Sequence, residues 1–240
     1  MIDRFGAPGN RLGRRWLLAG LIALASGCVL ADEDGDDPYE SFNRAMFAVN
    51  EVADQYAAKP VAQAYDSATP LPVKAGIGNF FGNVGDLWIG VNNALQGKLT
   101  DAGSDLGRLL INSTVGIFGL FDVASELGLE KHDEDLGQTL AVWGVGGGPY
   151  LFWPLIGPRN MRDTVTWVAD SYADPVWSLH PIAARNSMVV VRFVDVRASL
   201  LPADKVIEAA ALDKYSYIRG AYQQRRRNQI FDGHPPRLED

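Results

Sequence analysis

Cysteine is nearly absent from this chain, since Cys28 is the only one among 240 residues. A single thiol excludes an internal disulfide framework and a cysteine-rich zinc site. Basic residues are also outnumbered, with 22 lysines and arginines against 29 aspartates and glutamates and a formal net charge of -7. This acidic balance argues against a nucleic-acid partner and against attachment to anionic lipid through a polybasic patch. Any membrane attachment must therefore come from covalently bound lipid or from apolar surface.

Recognisable catalytic and phosphate-binding motifs are missing as well. The chain has no Gly-x-Ser-x-Gly elbow and no His-Glu-x-x-His pair, and its three histidines lie far apart. The glycine-rich residues 144–149 (GVGGGP) have proline where a dinucleotide fingerprint needs its third glycine, and no Gly-Lys-Ser/Thr follows. Asp163 and Asp170 lie near Arg159 and Arg162, where a surface or interface ion pair is favoured over an acid cluster. These motif searches therefore find no recognisable catalytic or phosphate-binding site.

The first 28 residues have the organisation of an exported bacterial lipoprotein. Four arginines precede the uncharged, apolar residues 16–25 (WLLAGLIALA). That run is shorter than the roughly 20 residues of a membrane span and fits a signal-peptide core. Residues 26–28 (SGC) then resemble a lipobox, although Ala25 stands where leucine is usual. We predict a signal peptide at residues 1–27 and lipid attachment at Cys28.

The residues after Cys28 support this interpretation over a cysteine buried at the end of a short core helix. Residues 28–37 are acidic and glycine-punctuated, as expected of a solvated tether. Val29 replaces the aspartate of many lipoproteins kept at the inner membrane, which favours the outer membrane. Residues 13–18 (GRRWLL) also loosely resemble a twin-arginine signal, so the export route stays open between that system and the general secretory one.

A chain of 240 residues suits one domain or at most two small ones. The rest of the chain shows helical spacing of apolar residues and few strand signals, which predicts a mostly helical fold. Residues 73–96 give the clearest helix, although the sequence does not say whether protein or lipid covers its apolar face. Residues 185–201 fit a strand and a helix equally, and residues 131–135 are predicted to form a charged surface turn. Further helices are predicted at residues 40–56, at 101–113 with Thr100 as the N-cap, and at 202–229, with a domain at 38–231 and a loose tail at 232–240.

Residues 137–158 carry no charge over a length that would suit a transmembrane helix, but their glycines and prolines exclude a continuous helix. Two interpretations stay open. The segment is either re-entrant or interfacial, with Trp143, Tyr150, Phe152 and Trp153 near lipid headgroups, or it is a glycine-rich loop buried in an ordinary soluble core.

Several ordered motifs closely resemble those of the VacJ/MlaA family of outer-membrane lipoproteins. They are residues 37–47 (DPYESFNRAMF), 79–83 (NFFGN), 91–98 (VNNALQGK), 112–116 (NSTVG), 119–124 (GLFDVA), 137–140 (GQTL), 148–150 (GPY), 154–158 (PLIGP) and 162–163 (RD). The resemblance covers residues 37–227, with two small departures at Leu109 and Leu136. Residues 179–199 match nothing in it.

The resemblance implies an all-α fold, a ring-like arrangement of amphipathic and interfacial helices embedded in one membrane leaflet around an amphipathic passage. It implies removal of mislocalised phospholipids from the outer leaflet and their transfer to a soluble periplasmic carrier, in association with a porin trimer, on the periplasmic side of the outer membrane. The resemblance also implies that the protein needs no cofactor and is not an enzyme. The alternatives are a structural lipoprotein that stabilises porins without moving lipid, and a phospholipase, against which the missing Gly-x-Ser-x-Gly elbow counts. The candidate lipid contacts are Phe80, Phe81, Val84, Trp88, Trp143, Tyr150, Phe152 and Trp153.

Overall fold

The computed structural model describes residues 37–237, so Cys28 and the predicted signal and tether segments before Asp37 lie outside the described residues. Helix α1 (Glu40–Ala53) continues through a π-helical turn (Asp54–Ala58) into helix α2 (Lys59–Ala68). Pro60 has no amide hydrogen and cannot donate the usual α-helical bond. The π-helical turn immediately before it is of the kind that occurs as a single-turn bulge inside a longer helix. The predicted first helix is confirmed, and helical structure continues beyond it.

A long helical hairpin follows, in which α3 (Leu71–Leu95) packs against α4 (Leu99–Thr114). Gly97, between them, has a φ of 83°, and the amide of Lys98 donates to the carbonyl of Asn93 at 2.9 Å. A glycine in this left-handed conformation lets a helix end satisfy its last carbonyls. Both predicted helices are confirmed. The predicted cap is wrong, because Lys98 is at the N-cap position and Thr100 lies in the first turn of α4.

Two short helices, α5 (Val123–Glu126) and α6 (Leu136–Val142), come next. Each is preceded by an aspartate that accepts an amide hydrogen bond, Asp122 from Ser125 at 3.2 Å and Asp135 from Gln138 at 2.8 Å. We call α3, α4, α5 and their connections through residue 135 the polar bundle, after its interior. Its buried polar side chains are Asn83, Asp86, Asn92, Asn93, Asp105, Arg108, Asn112 and Glu134.

A two-stranded antiparallel hairpin interrupts the helical fold. Strand β1 (Tyr150–Trp153) pairs with β2 (Gly157–Asn160), Tyr150 opposite Asn160. Leu155 and Gly157 have φ values of 65° and 91°, so the short connection needs the left-handed backbone that glycine adopts without strain. The uncharged residues 137–158 thus contain helix α6, a loop and most of a hairpin. The strands escaped prediction because each is only four residues long and the second contains glycine and proline.

The C-terminal third is helical. It contains α7 (Met161–Ala173), a 3-10 turn (Pro175–Ser178), α8 (Ile182–Ser199), α9 (Leu201–Ala210) and α10 (Lys214–Ile230). The ambiguous residues 185–201 are mostly helix α8. The single helix predicted at residues 202–229 is wrong, because the chain turns at residues 211–213. Asp213 caps the new helix there by accepting from the amide of Tyr215 at 3.1 Å.

One set of elements closes into a ring. Helix α2 contacts α8 and α9, α9 contacts α10, α10 contacts β2, β2 pairs with β1, and β1 contacts α1. Because the π-helical turn joins α1 to α2, this series of contacts returns to its starting point. The predicted ring-like helical fold is therefore confirmed, apart from the hairpin. Of the helices in residues 37–237, none combines the length and the hydropathy that crossing a membrane requires.

Burial is inverted relative to an ordinary soluble protein. Among the described residues, sixteen buried side chains are polar or charged and only ten are apolar. Large apolar side chains are instead exposed along most of the helices, and Leu71 and Phe118 are each 76% exposed. Extended apolar surface of this kind marks contact with a membrane or with another protein. The fold therefore combines a polar interior with an apolar exterior.

Candidate functional site

A cavity of about 560 Å³ lies inside the ring, bounded by α1, the π-helical turn, the hairpin, α8, α9 and α10. We call it the central cavity. Its apolar wall includes Phe47, Phe152, Leu155, Ile156, Phe193, Val196, Leu200, Ile207 and Ile218. Its charged wall includes Glu51, Asp54, Arg159, Asp163, Arg197, Asp204, Arg225 and Arg226. A cavity with both kinds of wall fits a ligand that is itself amphipathic.

Arg197, on α8, joins two helices at the wall of the central cavity. Its guanidinium donates to both carboxylate oxygens of Asp54, at 2.6 and 2.7 Å, and to Asp204 at 2.7 Å. The hydrogen bond to Asp54 raises the pKa of Arg197 above its ordinary value, although burial opposes the shift. A second cavity of about 860 Å³, lined mainly by polar side chains of α2, α3, α8 and α9, shares Asp204 with the central cavity. The ion pairs of Arg197 therefore lie where two cavities adjoin.

A second ion-pair cluster is centred on Asp163, at the start of α7. Its Oδ1 accepts from Arg162 Nε at 2.9 Å, and its Oδ2 lies 2.6 Å from Arg226 Nε and accepts from Tyr222 Oη at 2.9 Å. Arg226 also pairs with both oxygens of Asp135, each at 2.7 Å. Ion pairing was expected here, but the predicted surface position is wrong, because Asp163 and Arg162 are buried. The carboxylate is withdrawn from water and held by protein donors on three sides.

The prediction of residues 131–135 as a charged surface turn is only partly right, because Lys131 and Asp133 are exposed whereas Glu134 is buried. The Lys131 ammonium contacts the fully buried carboxylate of Asp86. Glu134 is buried and accepts from Gln96 at 2.7 Å and from Lys98 at 3.0 Å. Burial raises the pKa of Glu134, and these two donors only partly offset the effect. The segment completes the polar bundle because side chains from α3 approach it closely.

Arg159, on β2, lines the central cavity beside the Asp163 cluster. Its guanidinium carbon lies 5.5 Å from the ring centroid of Trp167, and its Nη1 reaches only the backbone carbonyl of Asp163, at 3.5 Å. Burial lowers the pKa of Arg159, since desolvation disfavours the charged form. The Nε of this arginine is buried and makes no hydrogen bond with the described residues.

The four candidate lipid contacts predicted on α3 do not line the central cavity. Phe81 is buried and packs edge-on against Phe80, with ring centroids 5.3 Å apart. Trp88 Nε1 donates to Asp170 Oδ1 at 2.8 Å, so its polar atom is used inside the protein. Val84 is half-buried. The structure thus keeps these residues together on one helix but away from the cavity of the ring.

The four candidates in the uncharged segment, Trp143, Tyr150, Phe152 and Trp153, differ in how far they are buried. Tyr150 and Phe152 are buried beside Tyr215, and Phe152 also lines the central cavity. Trp153 donates to Thr164 Oγ1 at 3.1 Å and is half-buried. Trp143 is 57% exposed and donates to the carbonyl of Leu95 at 3.2 Å. Because Tyr150 is buried, it cannot contact lipid outside the protein. Trp143 is exposed and can contact surrounding lipid.

The turn between α4 and α5 presents apolar side chains outward. Val115, Ile117, Phe118 and Phe121 are all more than half exposed. Ile117 and Phe118 have φ values of 52° and 56°, a left-handed backbone that is unfavourable for β-branched and bulky residues. On its inner side, Asn112 and Asp122 are hydrogen-bonded to each other at 3.0 Å. The turn therefore repeats the polar interior and apolar exterior on a small scale.

Sequence inspection missed most of the residues that line the central cavity, although Phe152 was a candidate lipid contact and Arg159 and Asp163 were noticed as neighbouring charges. Asp54 and Arg197 are far apart in the chain, and neither belongs to a motif. The one available signal was the alternation of apolar and charged residues in 188–197 (MVVVRFVDVR), which supplies Phe193, Val196 and Arg197 to the wall. That pattern was ambiguous between strand and helix, and only as a helix does it bring these three side chains to one cavity.

Comparison with known proteins gives a consistent result. The family model described as "MlaA lipoprotein" matches residues 35–229. The "Intermembrane phospholipid transport system lipoprotein MlaA" of Escherichia coli (strain K12) is 33% identical over 219 residues, covering 85% of this chain and 86% of that protein. The protein of the same name from Haemophilus influenzae is 29% identical, covering 90% of each chain. A solved structure described as "Structural basis for maintenance of bacterial outer membrane lipid asymmetry" matches with a TM-score of 0.70 and 32% identity, over 83% of this chain and 100% of that one.

Proposed function

The chain belongs to the MlaA lipoprotein family, and from that premise we propose that it extracts mislocalised phospholipids from the outer leaflet of the outer membrane. It passes them through its ring to a soluble periplasmic carrier and so maintains lipid asymmetry. Its similarity to proteins named for intermembrane phospholipid transport supports this proposal.

The amphipathic central cavity, enclosed by a ring with an apolar exterior, is the observation that carries the proposal. A phospholipid has a charged headgroup and apolar chains, and the cavity offers arginines on one part of its wall and aliphatic and aromatic side chains on another. Exposed residues such as Leu71 and Phe118 would lie in acyl chains rather than in water. The protein therefore needs no bond-making step to move a lipid.

The proposal also covers how the protein is attached to the membrane and which partner proteins it contacts. Lipid on Cys28 delivers the chain to the outer membrane and orients it towards the periplasm, and the apolar exterior then holds the ring in one leaflet. A porin trimer would cover part of that exterior, and the soluble carrier would receive lipid at the periplasmic side. Trp143 is the candidate contact with surrounding lipid, while Phe152 contacts lipid inside the cavity.

The test uses the lipidated protein in vesicles that contain fluorescent phospholipid, with and without a porin, and the carrier as soluble acceptor. Ala203 and Ala209 are both exposed on α9, but Ala203 lines the central cavity whereas Ala209 lines none of the cavities described above. Ala203→Trp should fill the cavity and abolish most transfer, and Ala209→Trp should transfer lipid as the unaltered protein does.

The outcomes separate the proposal from its competitors. Absence of transfer by the unaltered protein, with or without porin, would contradict the proposal and favour the structural lipoprotein. Equal transfer by both tryptophan variants would exclude the central cavity as the route. Accumulation of lysophospholipid in the same vesicles would instead reveal a phospholipase.

A further inference from the structure

Around Asp163, at the charged wall of the central cavity, arginines outnumber the carboxylates that pair with them. Three arginines, Arg159, Arg162 and Arg226, surround the Asp163 cluster. Asp163 uses Oδ1 for Arg162 and Oδ2 for Arg226, and Asp135 uses both oxygens for Arg226. The two carboxylates are thus fully engaged by two of the three guanidinium groups.

Arg159 is the one of these three arginines that neither carboxylate contacts. Among residues 37–237 it forms no ion pair; its contacts are the face of Trp167 and the carbonyl of Asp163. The nearby Asp170 accepts instead from Trp88 Nε1 at 2.8 Å and from the amide of Leu136 at 3.1 Å. Arginine stays protonated at neutral pH, and the negative charges of Asp163 and Asp135 act on Arg159 without a direct contact to its guanidinium. The guanidinium therefore has donors available for an anion.

The position of Arg159 decides what kind of anion fits. Its strand β2 forms one wall of the central cavity, and the turn of the same hairpin brings Leu155 and Ile156 to that wall. Phe193 and Leu200 line the same cavity from α8 and its end. A ligand that contacts all of these groups has an oxyanion at one end and hydrocarbon next to it.

We propose that Arg159 binds the phosphate of a phospholipid in the central cavity and so determines which amphipathic molecules the cavity retains. Arginine presents two parallel N–H donors that match phosphate oxygens, and such charge-assisted bonds are among the strongest that a protein makes. The hydrocarbon chains lie against the apolar wall. This inference rests on the proposed function and adds to it a binding residue with a defined chemical target.

The experiment measures phospholipid retained per protein after purification in detergent, by mass spectrometry, for the unaltered protein and Arg159→Gln. Arg185→Gln is the matched control, because Arg185 contacts Trp177 at 5.8 Å in a similar way but lines none of the cavities described above. Arg159→Gln should retain about tenfold less phospholipid, the effect expected for one lost charge-assisted interaction. Thermal unfolding checks that both variants fold, and Arg185→Gln should retain phospholipid normally. Equal retention by Arg159→Gln would overturn the inference.

A second measurement needs no variant. The unaltered protein is exchanged with dioleoylphosphatidylglycerol, with dioleoylglycerol, which lacks phosphate, or with inorganic phosphate as competitor. Preference for phosphatidylglycerol supports the inference, and equal retention of the two lipids overturns it. Displacement of bound lipid by inorganic phosphate alone would identify a free-phosphate site and would also overturn it. If the unaltered protein transfers lipid while Arg159→Gln transfers and retains it equally, only this inference fails; if the unaltered protein transfers none, the proposed function fails.

Discussion

The polar bundle and the central cavity use the same pair of residue types for different purposes. In the polar bundle, Arg108 donates to both oxygens of Asp122, each at 2.9 Å, and its guanidinium is almost completely buried. In the central cavity, Arg197 makes an equally close pair with Asp54, but beside an open volume. Arg108 is 1% exposed and acts as an internal brace, whereas Arg197 is 13% exposed beside the cavity and is accessible to water or ligand. Open volume beside an ion pair, and not the pair itself, therefore distinguishes the candidate site from the scaffold.

Removing the arginine from each pair should separate the two regions most clearly. Arg108→Met would take the guanidinium partner from Asp122 and leave the fully buried Asp86 with Lys131 as its remaining cation, at a cost of about 3–5 kcal/mol in the free energy of unfolding. Arg197→Met should cost only about 1 kcal/mol, because water in the cavity can solvate Asp54 and Asp204. Denaturant unfolding in detergent measures both. Equal losses would show that the cavity is as dry as the bundle and would remove the distinction.

A glycine at the junction of the two regions gives the next largest effect. Gly137, in the first turn of α6, lies against the Asp163 cluster, and a Cβ there would come within 2.4 Å of Arg226 Nη2 and of Asp163 Oδ1. Gly137→Ala should therefore cost about 1–3 kcal/mol of unfolding free energy by forcing the ion pairs apart.

The matched control for Gly137→Ala is Gly103→Ala. Gly103 is also inside a helix, but a Cβ there would meet nothing within 4 Å. That change should stabilise the protein by about 0.5–1 kcal/mol through helix propensity. If Gly137→Ala leaves the free energy of unfolding unchanged, the Asp163 cluster can move and is not part of the rigid polar bundle.

The same division explains how much the sequence could predict. The helices of the polar bundle were predicted because apolar residues recur at helical spacing, at nine positions along α3. The break between α9 and α10 was missed because residues 211–213 (ALD) contain neither glycine nor proline. The buried position of Asp163 was missed because its partner Arg226 comes from a distant helix. Periodicity reports which face of a helix is apolar, but not which distant charge will neutralise another.

The central cavity was harder still to predict, because it depends on pairings that local sequence does not encode. Arg159 could be noticed as a charge near Asp163, but its lack of a carboxylate follows only from the contacts of Arg162 and Arg226. The motifs that carry the family resemblance fall largely in the polar bundle and the hairpin. Helix α8, which supplies Phe193 and Arg197 to the cavity, lies in residues 179–199 and carries none of those motifs. Resemblance therefore identified the scaffold better than the cavity wall.

The smallest predicted effect concerns the outer surface of the polar bundle. Phe118 is strongly exposed and has a left-handed backbone, which costs a bulky residue about 1–3 kcal/mol and which asparagine tolerates better. If the aromatic ring is there for lipid and not for folding, Phe118→Asn should raise the free energy of unfolding in detergent by about 0.5–1 kcal/mol and weaken binding to vesicles. Tyr172→Asn is the control, because Tyr172 is also exposed but lies in helix α7, where asparagine brings no conformational gain. Loss of stability in Phe118→Asn would show that the ring packs within the protein. A gain in stability together with unchanged vesicle binding would show that this turn lies outside the lipid, and that the apolar exterior of the bundle is covered by a protein partner instead.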